Sequence, residues 1–366
     1  MALILPIVAA RAIMQTTELR STFVRTVTIL MLCAGLLAAS ATAADTVTTA
    51  DVAVTDGDVF CNGIRLGDEI VVVNVRPLCG SCDPESLRTG VRVENYAVCD
   101  ESGRRRWQPS DLESFLSFDA SVPTVFYVHG NQMSPGDAKS QGLSLYRRLV
   151  NYGGEAQRIR FVIFSWPSAK VRGLLNDVRV KAQRTGPAGC QLAWLLDQMP
   201  AETPVSLIGF SFGARVITAG LHVLGGGSVC NGMELVERAH PDRAPMNAVL
   251  IAAAVHAHWL GKGQNHGLAM TQVDRMFLIN NCDDLALRYY HLTTTDHSRP
   301  QALGICGPTR IDSEYAAKIR KRDVSSYAGS RHDLFLYLCA PGAIGQVWNY
   351  SVSAPGAVVE ELQAAN

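Results

Sequence analysis

The stretch that most restricts the fold of this chain is residues 209–213, with the sequence Gly-Phe-Ser-Phe-Gly, directly after the apolar run at 205–208. The apolar run predicts a buried strand, and the residues after the stretch can begin a helix. Between a strand and a helix, Gly-x-Ser-x-Gly indicates a nucleophile elbow, a sharp turn that exposes the hydroxyl of Ser211 at the edge of a sheet. A side chain at Gly209 or Gly213 would collide with the neighbouring strand or helix, so both positions need glycine.

A serine of this kind needs a base and an acid, and the sequence offers both in the chain order expected for the elbow. An apolar strand at 276–281 runs into Asp283 and Asp284, and His332 lies on a loop before an apolar helix. Adjacent residues point in different directions, so only one of the two aspartates can contact an imidazole, while the other can cap the following helix. The residues alone leave the choice between Asp283 and Asp284 open.

A second motif follows the predicted strand at 122–128, which ends in His129-Gly130-Asn131-Gln132. In the elbow arrangement, such a loop supplies an N–H group to an oxyanion hole, together with the N–H of Phe212 after the serine. Gly130 lets the backbone approach a substrate closely, and Asn131 or Gln132 would offer an amide. We interpret His129 as a residue that braces the loop.

Strand-like and helix-like segments alternate from residue 119 to the end, with further apolar strands at 161–166 and 247–255. This alternation predicts an α/β domain over 119–366, with a mostly parallel central sheet and helices on both faces. Neither this domain nor the predicted site requires a metal or an organic cofactor.

The N-terminal residues have the pattern of an export signal. Arg20 and Arg25 precede an apolar stretch at 27–39, and Ala41 and Ala43 are the small residues that a signal peptidase prefers. We therefore predict a signal peptide over 1–43, a secreted or periplasmic protein, and no stable transmembrane anchor after cleavage. Lipid attachment at Cys33 is the alternative.

Residues 44–118 are predicted to form a small β-rich module of their own, with Cys61, Cys79, Cys82 and Cys99. In an oxidising compartment, the expected outcome is two disulfides that stabilise a module with little core. The alternative is a zinc site, because Cys79 and Cys82 have the C-x-x-C spacing of a tetrahedral thiolate site.

Composition narrows the range of partners. The 366 residues include 33 basic and 33 acidic side chains, and no basic segment is interleaved with aromatic residues, which argues against nucleic acid as a partner. Hydrophobic residues make up 48% of the chain and charged residues 18%, enough for a sizeable core.

Several segments together resemble the α/β-hydrolase superfamily, and within it a bacterial family of uncharacterised serine hydrolases. The resemblance covers roughly 121–340 and rests on residues 126–131, 164–167, 209–215, 284–287 and 302–304, and on His332. It implies a mostly parallel sheet and a Ser-His-Asp site, and it favours Asp284 over Asp283. The chain departs from the family at Phe210, where histidine is common, so the resemblance implies a more apolar pocket wall.

The sequence thus predicts an exported serine hydrolase with Ser211, Asp284 and His332 as its triad, and with Asn131 and Phe212 as its oxyanion hole. We expect a carboxylic ester, small or lipid-like, to be cleaved through an acyl-enzyme. An amide or thioester substrate is an alternative, as is a binding protein that keeps the fold without the chemistry.

Overall fold

A computed structural model describes residues 60–61, 63–99, 103–154, 157–230, 232–294 and 298–352. The predicted signal peptide, its cleavage site and Cys33 lie outside the described residues. In chain order, the strands are β1 (Phe60–Cys61), β2 (Ile64–Arg65), β3 (Glu69–Asn74), β4 (Arg92–Val98), β5 (Arg105–Ser110), β6 (Thr124–Val128), β7 (Arg160–Ser165), β8 (Val205–Phe210), β9 (Met246–Ile251), β10 (Val273–Asn280) and β11 (Ile319–Asp323).

The described helices lie between and after these strands. They are α1 (Pro84–Gly90), α2 (Leu112–Leu116), α3 (Pro135–Gly153), α4 (Leu174–Gln198), α5 (Phe212–Leu224), α6 (Leu285–Arg288), α7 (Leu303–Cys306), α8 (Ser313–Ala317), α9 (Ser325–Ala328), α10 (Leu334–Leu338) and α11 (Ala343–Val352). No helix in the described part of the chain is long and apolar enough to cross a membrane.

Nine strands form one sheet in the order β11-β10-β9-β8-β6-β7-β3-β4-β5, while β1 and β2 pair only with each other. All neighbours from β11 to β3 are parallel, and only β4 and β5 add antiparallel pairings at one edge. Every residue of β6, β7, β8 and β9 is buried. Because successive side chains point to opposite faces, this burial requires cover on both faces of the sheet.

Two pairs of long helices provide most of this cover. Helix α4 packs along α5, which also contacts β6 and β8, and α3 packs against α11, which contacts β8, β9 and β10. The predicted α/β fold, a mostly parallel sheet covered by helices, is confirmed, and the elbow strand β8 lies near its centre.

The N-terminal segment differs from its prediction, because it does not build a sheet separate from the main one. Strand β3 pairs in parallel with β7 over all six of its residues, and β4 and β5 continue the same sheet outward. The apolar side chains of Ile70–Val73 are buried in the same core as the central strands. The segment is β-rich as expected, but the boundary near residue 118 falls within one continuous sheet.

The cysteines of this segment also differ from the expectation. Cys82 forms a disulfide with Cys190 on α4, at a Cα–Cα distance of 6.1 Å, and not with a cysteine of its own segment. Cys79 is an exposed free thiol, and the side chain of Cys61 lies outside the described residues. A thiolate site for zinc that includes Cys82 is therefore wrong. Within the described ranges, no three His, Cys, Asp or Glu side chains are grouped to hold a metal ion.

Candidate active site

Ser211 lies between β8 and α5, in the turn that the motif predicts. Its backbone has φ 55° and ψ −119°, a conformation that residues other than glycine rarely adopt. A Cβ at Gly209 would contact the backbone of Ala214 at 2.7 Å, and one at Gly213 would overlap the carbonyl oxygen of Val128. Both glycines are therefore required, one by the helix and one by strand β6.

The strained turn is held at the end of the neighbouring strand. The Ser211 N–H donates to the Ile251 carbonyl at 3.0 Å, and the Ala254 N–H donates to the Ser211 carbonyl at 3.1 Å. Strand β9 ends at Ile251, so the N–H and the carbonyl of Ser211 are both held at this edge of the sheet. Such support is what allows an unfavourable backbone conformation to persist.

His332 lies beside this serine, although 121 residues separate them in the chain. Its Nε2 is 2.9 Å from Ser211 Oγ, and its Nδ1 is 2.6 Å from Asp284 Oδ2. With the proton on Nδ1, the imidazole donates to the carboxylate and accepts from the serine hydroxyl. In this geometry the imidazole can take the serine proton while the carboxylate fixes its tautomer.

The two adjacent aspartates have opposite environments. The Asp284 side chain is fully buried beside His332, whereas the Asp283 side chain is 60% exposed and lies 3.5 Å from Arg288. Sequence reasoning assigned the helix cap to the aspartate that does not contact the imidazole. That assignment is wrong, because Asp284 Oδ1 also accepts from the Leu287 N–H at 2.9 Å and so caps α6 itself.

Tyr337 is a further partner of this carboxylate that sequence reasoning missed. Its hydroxyl donates to Asp284 Oδ2 at 2.5 Å from helix α10. Burial, followed by the charge of Asp284, raises the pKa of Tyr337 far above its ordinary value, so the phenol stays a donor. The available signal was its position in the apolar helix that follows His332, which brings both side chains to the same carboxylate.

The loop after β6 lies directly against the elbow. A Cβ at Gly130 would come within 3.0 Å of the Phe210 ring and 3.3 Å of Ser211 Cβ, so glycine allows the two turns to touch. The Asn131 side-chain amide donates to Asp177 Oδ2 at 3.0 Å, which holds the side chain toward α4. An oxyanion donor at Asn131 would therefore be its backbone N–H. At the other turn, the Phe212 N–H is in the first turn of α5 and has no acceptor within that helix.

Asp177, near the start of α4, organises this loop and was not found from the sequence. It accepts from Asn131 and Gln132 through Oδ2, and from Lys181 Nζ at 2.8 Å and the Val171 N–H at 2.6 Å through Oδ1. Burial alone would raise the pKa of Asp177, but these hydrogen bonds together hold it below its ordinary value. Gln132 has φ 56°, which shows how tightly the loop is turned.

His129 braces the same loop from inside the protein. Its Nδ1 is 3.0 Å from the Gly130 carbonyl, and the indole N–H of Trp166 donates to the His129 carbonyl at 2.8 Å. Burial, together with the charge of Arg76, lowers the pKa of His129 to about 3, so the ring is neutral. These contacts agree with the structural interpretation of this histidine.

The apolar residue before the serine also contacts the site. The Phe210 ring is 5.0 Å from the His332 ring, centroid to centroid, and tilted by 31°. Phe210 is 8% exposed. It therefore forms an apolar wall on one side of the imidazole, as the departure from the family pattern suggested.

Comparison with known proteins gives distant similarities. Residues 163–240 match a family described as a protein of unknown function, DUF726. No curated protein matches the chain. Because this family match spans only a minor part of the chain, the fold assignment depends on the topology described above.

Similar solved structures include three enzymes or gene products of low identity. The catalytic core of acetyl xylan esterase from Trichoderma reesei is 13% identical, with a TM-score of 0.35 over 64% of this chain and 97% of its own. A gene product, lin2722, from Listeria innocua is 9% identical, with a TM-score of 0.33 over 63% and 93%. Esterase B from Lactobacillus rhamnosis is 13% identical, with a TM-score of 0.33 over 76% and 86%. The chain is similar to these proteins only distantly, so its chemistry is inferred from its own residues.

Proposed function

We propose that this protein is an exported serine hydrolase that cleaves a carboxylic ester through an acyl-enzyme intermediate. The observation that carries the proposal is the hydrogen-bonded series Ser211–His332–Asp284, with distances of 2.9 and 2.6 Å. Export is supported by the signal-like N-terminal sequence and by the disulfide between Cys82 and Cys190.

In the first half of the reaction, His332 Nε2 takes the proton from Ser211 Oγ as the oxygen attacks the ester carbonyl carbon. Asp284 stabilises the imidazolium that forms. The carbonyl oxygen gains negative charge, which the backbone N–H groups of Phe212 and Asn131 would stabilise. One such donor contributes about 3 kcal/mol to the transition state. The imidazolium then gives its proton to the departing alcohol, and an acyl-serine remains.

In the second half, water replaces the alcohol. His332 takes a proton from the water, the hydroxide attacks the acyl carbon, and the carboxylic acid leaves as Ser211 Oγ recovers its proton. Tyr337 and the Leu287 N–H hold Asp284 throughout, so the carboxylate has two further donors that need not move.

Labelling with a fluorophosphonate tests the proposal, because the probe reacts with an activated serine and needs no knowledge of the substrate. We expect labelling of the wild-type protein, none of Ser211→Ala, and full labelling of Ser144→Ala, a partly exposed serine on α3. Hydrolysis of p-nitrophenyl esters by the same three proteins gives the second readout. A folded wild-type protein that neither labels nor hydrolyses any ester would contradict the proposal and favour the binding-protein alternative.

A further inference from the structure

A cavity of about 500 Å³ lies along the flank of α5, outside the Ser211–His332–Asp284 cluster. Its walls are α4, α5, the segment 228–230 and the loop 259–266, and its volume is in the range of small-molecule sites. The side chains that carry the argument are Arg215, His222, Cys230, Trp259, Gln264 and His266.

Arg215 provides the charge of this cavity. It lies one helical turn after Ser211 on α5, and its guanidinium stacks over the Trp259 ring at 4.5 Å from the centroid. Among the described residues, the only hydrogen bond of the guanidinium is the one it donates to the Tyr290 hydroxyl at 3.4 Å, and it forms no ion pair with a described carboxylate. A half-buried guanidinium without a carboxylate has unused donors in a fork geometry.

The remaining lining groups add no opposite charge. No Asp or Glu is among the described residues that line the cavity. Burial and the charge of Arg215 lower the pKa of His266 well below its ordinary value, and burial lowers the pKa of His222. Both imidazoles are held by neighbours: His266 Nδ1 lies 2.9 Å from Thr218 Oγ1, and His222 Nδ1 accepts from the Leu268 N–H. The cavity therefore carries a single positive charge at neutral pH.

We propose that this cavity binds a small molecule with one carboxylate, which Arg215 contacts. The Trp259 ring is stacked between His256 and Arg215, so its edge lies against the apolar part of the ligand. A planar guanidinium pairs with a carboxylate through two parallel hydrogen bonds. One fixed cation matches one negative charge, which favours a carboxylate over a phosphate dianion. The amides of Gln264 and Asn265 at the loop offer neutral hydrogen bonds to the rest of the ligand.

The test measures binding of 4-phenylbutyrate and of its neutral amide to the Ser211→Ala protein, which keeps the result independent of the proposed hydrolysis. For a ligand of this size we expect a Kd of about 1 mM by calorimetry for the acid. The amide should bind at least about tenfold more weakly, because it cannot form the charged pair. Equal affinity for acid and amide, or no binding of the acid, would overturn the proposal.

Two variants locate the carboxylate. Arg215→Gln should weaken binding of the acid at least tenfold without changing binding of the amide, and Arg88→Gln, at an exposed position on α1, should change neither. If Arg215→Gln does not fold, as judged by its thermal transition, Gln264→Glu takes its place. That change puts a carboxylate into the cavity that Arg215 lines, and its negative charge should weaken binding of the acid by a similar factor. Unchanged affinity in a folded variant of either kind would overturn the proposal.

Cys230 gives a second readout at the site itself. Its thiol is exposed on the cavity wall, and Cys339 is an exposed thiol elsewhere on the protein. Saturating 4-phenylbutyrate should slow iodoacetamide alkylation of Cys230 severalfold and leave Cys339 unchanged, as resolved by peptide mass spectrometry. Equal rates at Cys230 with and without the acid would place its binding outside the cavity and contradict the proposal.

Discussion

Two buried aspartates near the carboxyl edge of the sheet have similar burial and different partners. Asp284 accepts from an imidazole, a phenol and a backbone N–H. Asp177 accepts from an ammonium, two side-chain amides and a backbone N–H. The imidazole has a second ring nitrogen that reaches the Ser211 hydroxyl, whereas the ammonium of Lys181 only donates to its carboxylate. A buried carboxylate fixes a loop in the second cluster, and in the first it would support the proton transfer that we propose for Ser211 and His332.

The largest expected effect is on activity, and it belongs to the cluster around Asp284. Asp284→Asn keeps the shape of the side chain but removes the charge that holds His332, so kcat/KM for a p-nitrophenyl ester should fall by about 10⁴. The exposed neighbour supplies the control, since Asp283→Asn should leave kcat/KM within about twofold. A loss of less than tenfold in Asp284→Asn would show that this carboxylate does not serve the imidazole.

The second effect is on stability and belongs to Asp177. Asp177→Asn leaves Lys181 buried without a counter-charge, and the free energy of unfolding should fall by about 3–5 kcal/mol in urea titrations. The double variant Asp177→Asn/Lys181→Met removes both charges and should recover most of that loss. If the double variant is as unstable as the single one, the ion pair is not the source of the effect.

The third effect is a pH dependence of the free energy of unfolding, and it belongs to His129, which braces the same loop as Asp177. The pKa of His129 is about 3 in the folded protein and near 6.5 when unfolded, so the unfolded chain binds more protons between these values. The stabilisation from the neutral ring is present above pH 6.5 and is lost as pH falls toward 3. Between pH 7 and pH 5, the wild-type protein should lose about 2 kcal/mol more than His129→Gln.

Urea unfolding at the two pH values measures this difference, with His291→Gln, at a partly exposed position, as the control that should follow the wild type. A His129→Gln protein with the same pH dependence as the wild type would rule out His129 as the responsible group.

The smallest effect concerns the outer partner of Asp284. Tyr337→Phe removes one hydrogen bond to the carboxylate and leaves the bond to His332, so kcat/KM should fall by about tenfold, equivalent to about 1.4 kcal/mol. Fluorophosphonate labelling should persist at a lower rate. An effect as large as that of Asp284→Asn would mean that Tyr337 takes a more direct part than positioning.

The sequence predicted the parts of this molecule that depend on local patterns. The Gly-x-Ser-x-Gly turn, its strand and helix, and the alternation of strands and helices all follow from periodicity and from glycine positions. Asp177 could not be found in this way, because its importance comes from Asn131 and Gln132, which are more than 40 residues away in the chain. Tyr337 was missed for a related reason, since a tyrosine in an apolar helix has the pattern of a core residue.

The N-terminal segment shows a different limit. Its turns and cysteines have the local pattern of a small module, and no local signal distinguishes a strand that pairs within its module from one that joins a distant sheet. The pairing of β3 with β7 spans roughly 90 residues, and the partner of Cys82 is 108 residues away. Long-range pairing of this kind depends on the whole core, and the local sequence pattern around residue 118 does not predict it.

The position of His332 relative to the sheet has a consequence for local unfolding. Ser211 extends from a central strand, whereas His332 follows β11, an edge strand with one neighbour and largely exposed side chains. Edge elements open and exchange their amide hydrogens more readily than central ones. Release of β11 together with residues 324–332, which include α9, would separate the imidazole from the serine while the centre of the sheet stays folded. The protein would therefore lose the base of the proposed mechanism in a sub-global opening whose free energy is smaller than that of complete unfolding.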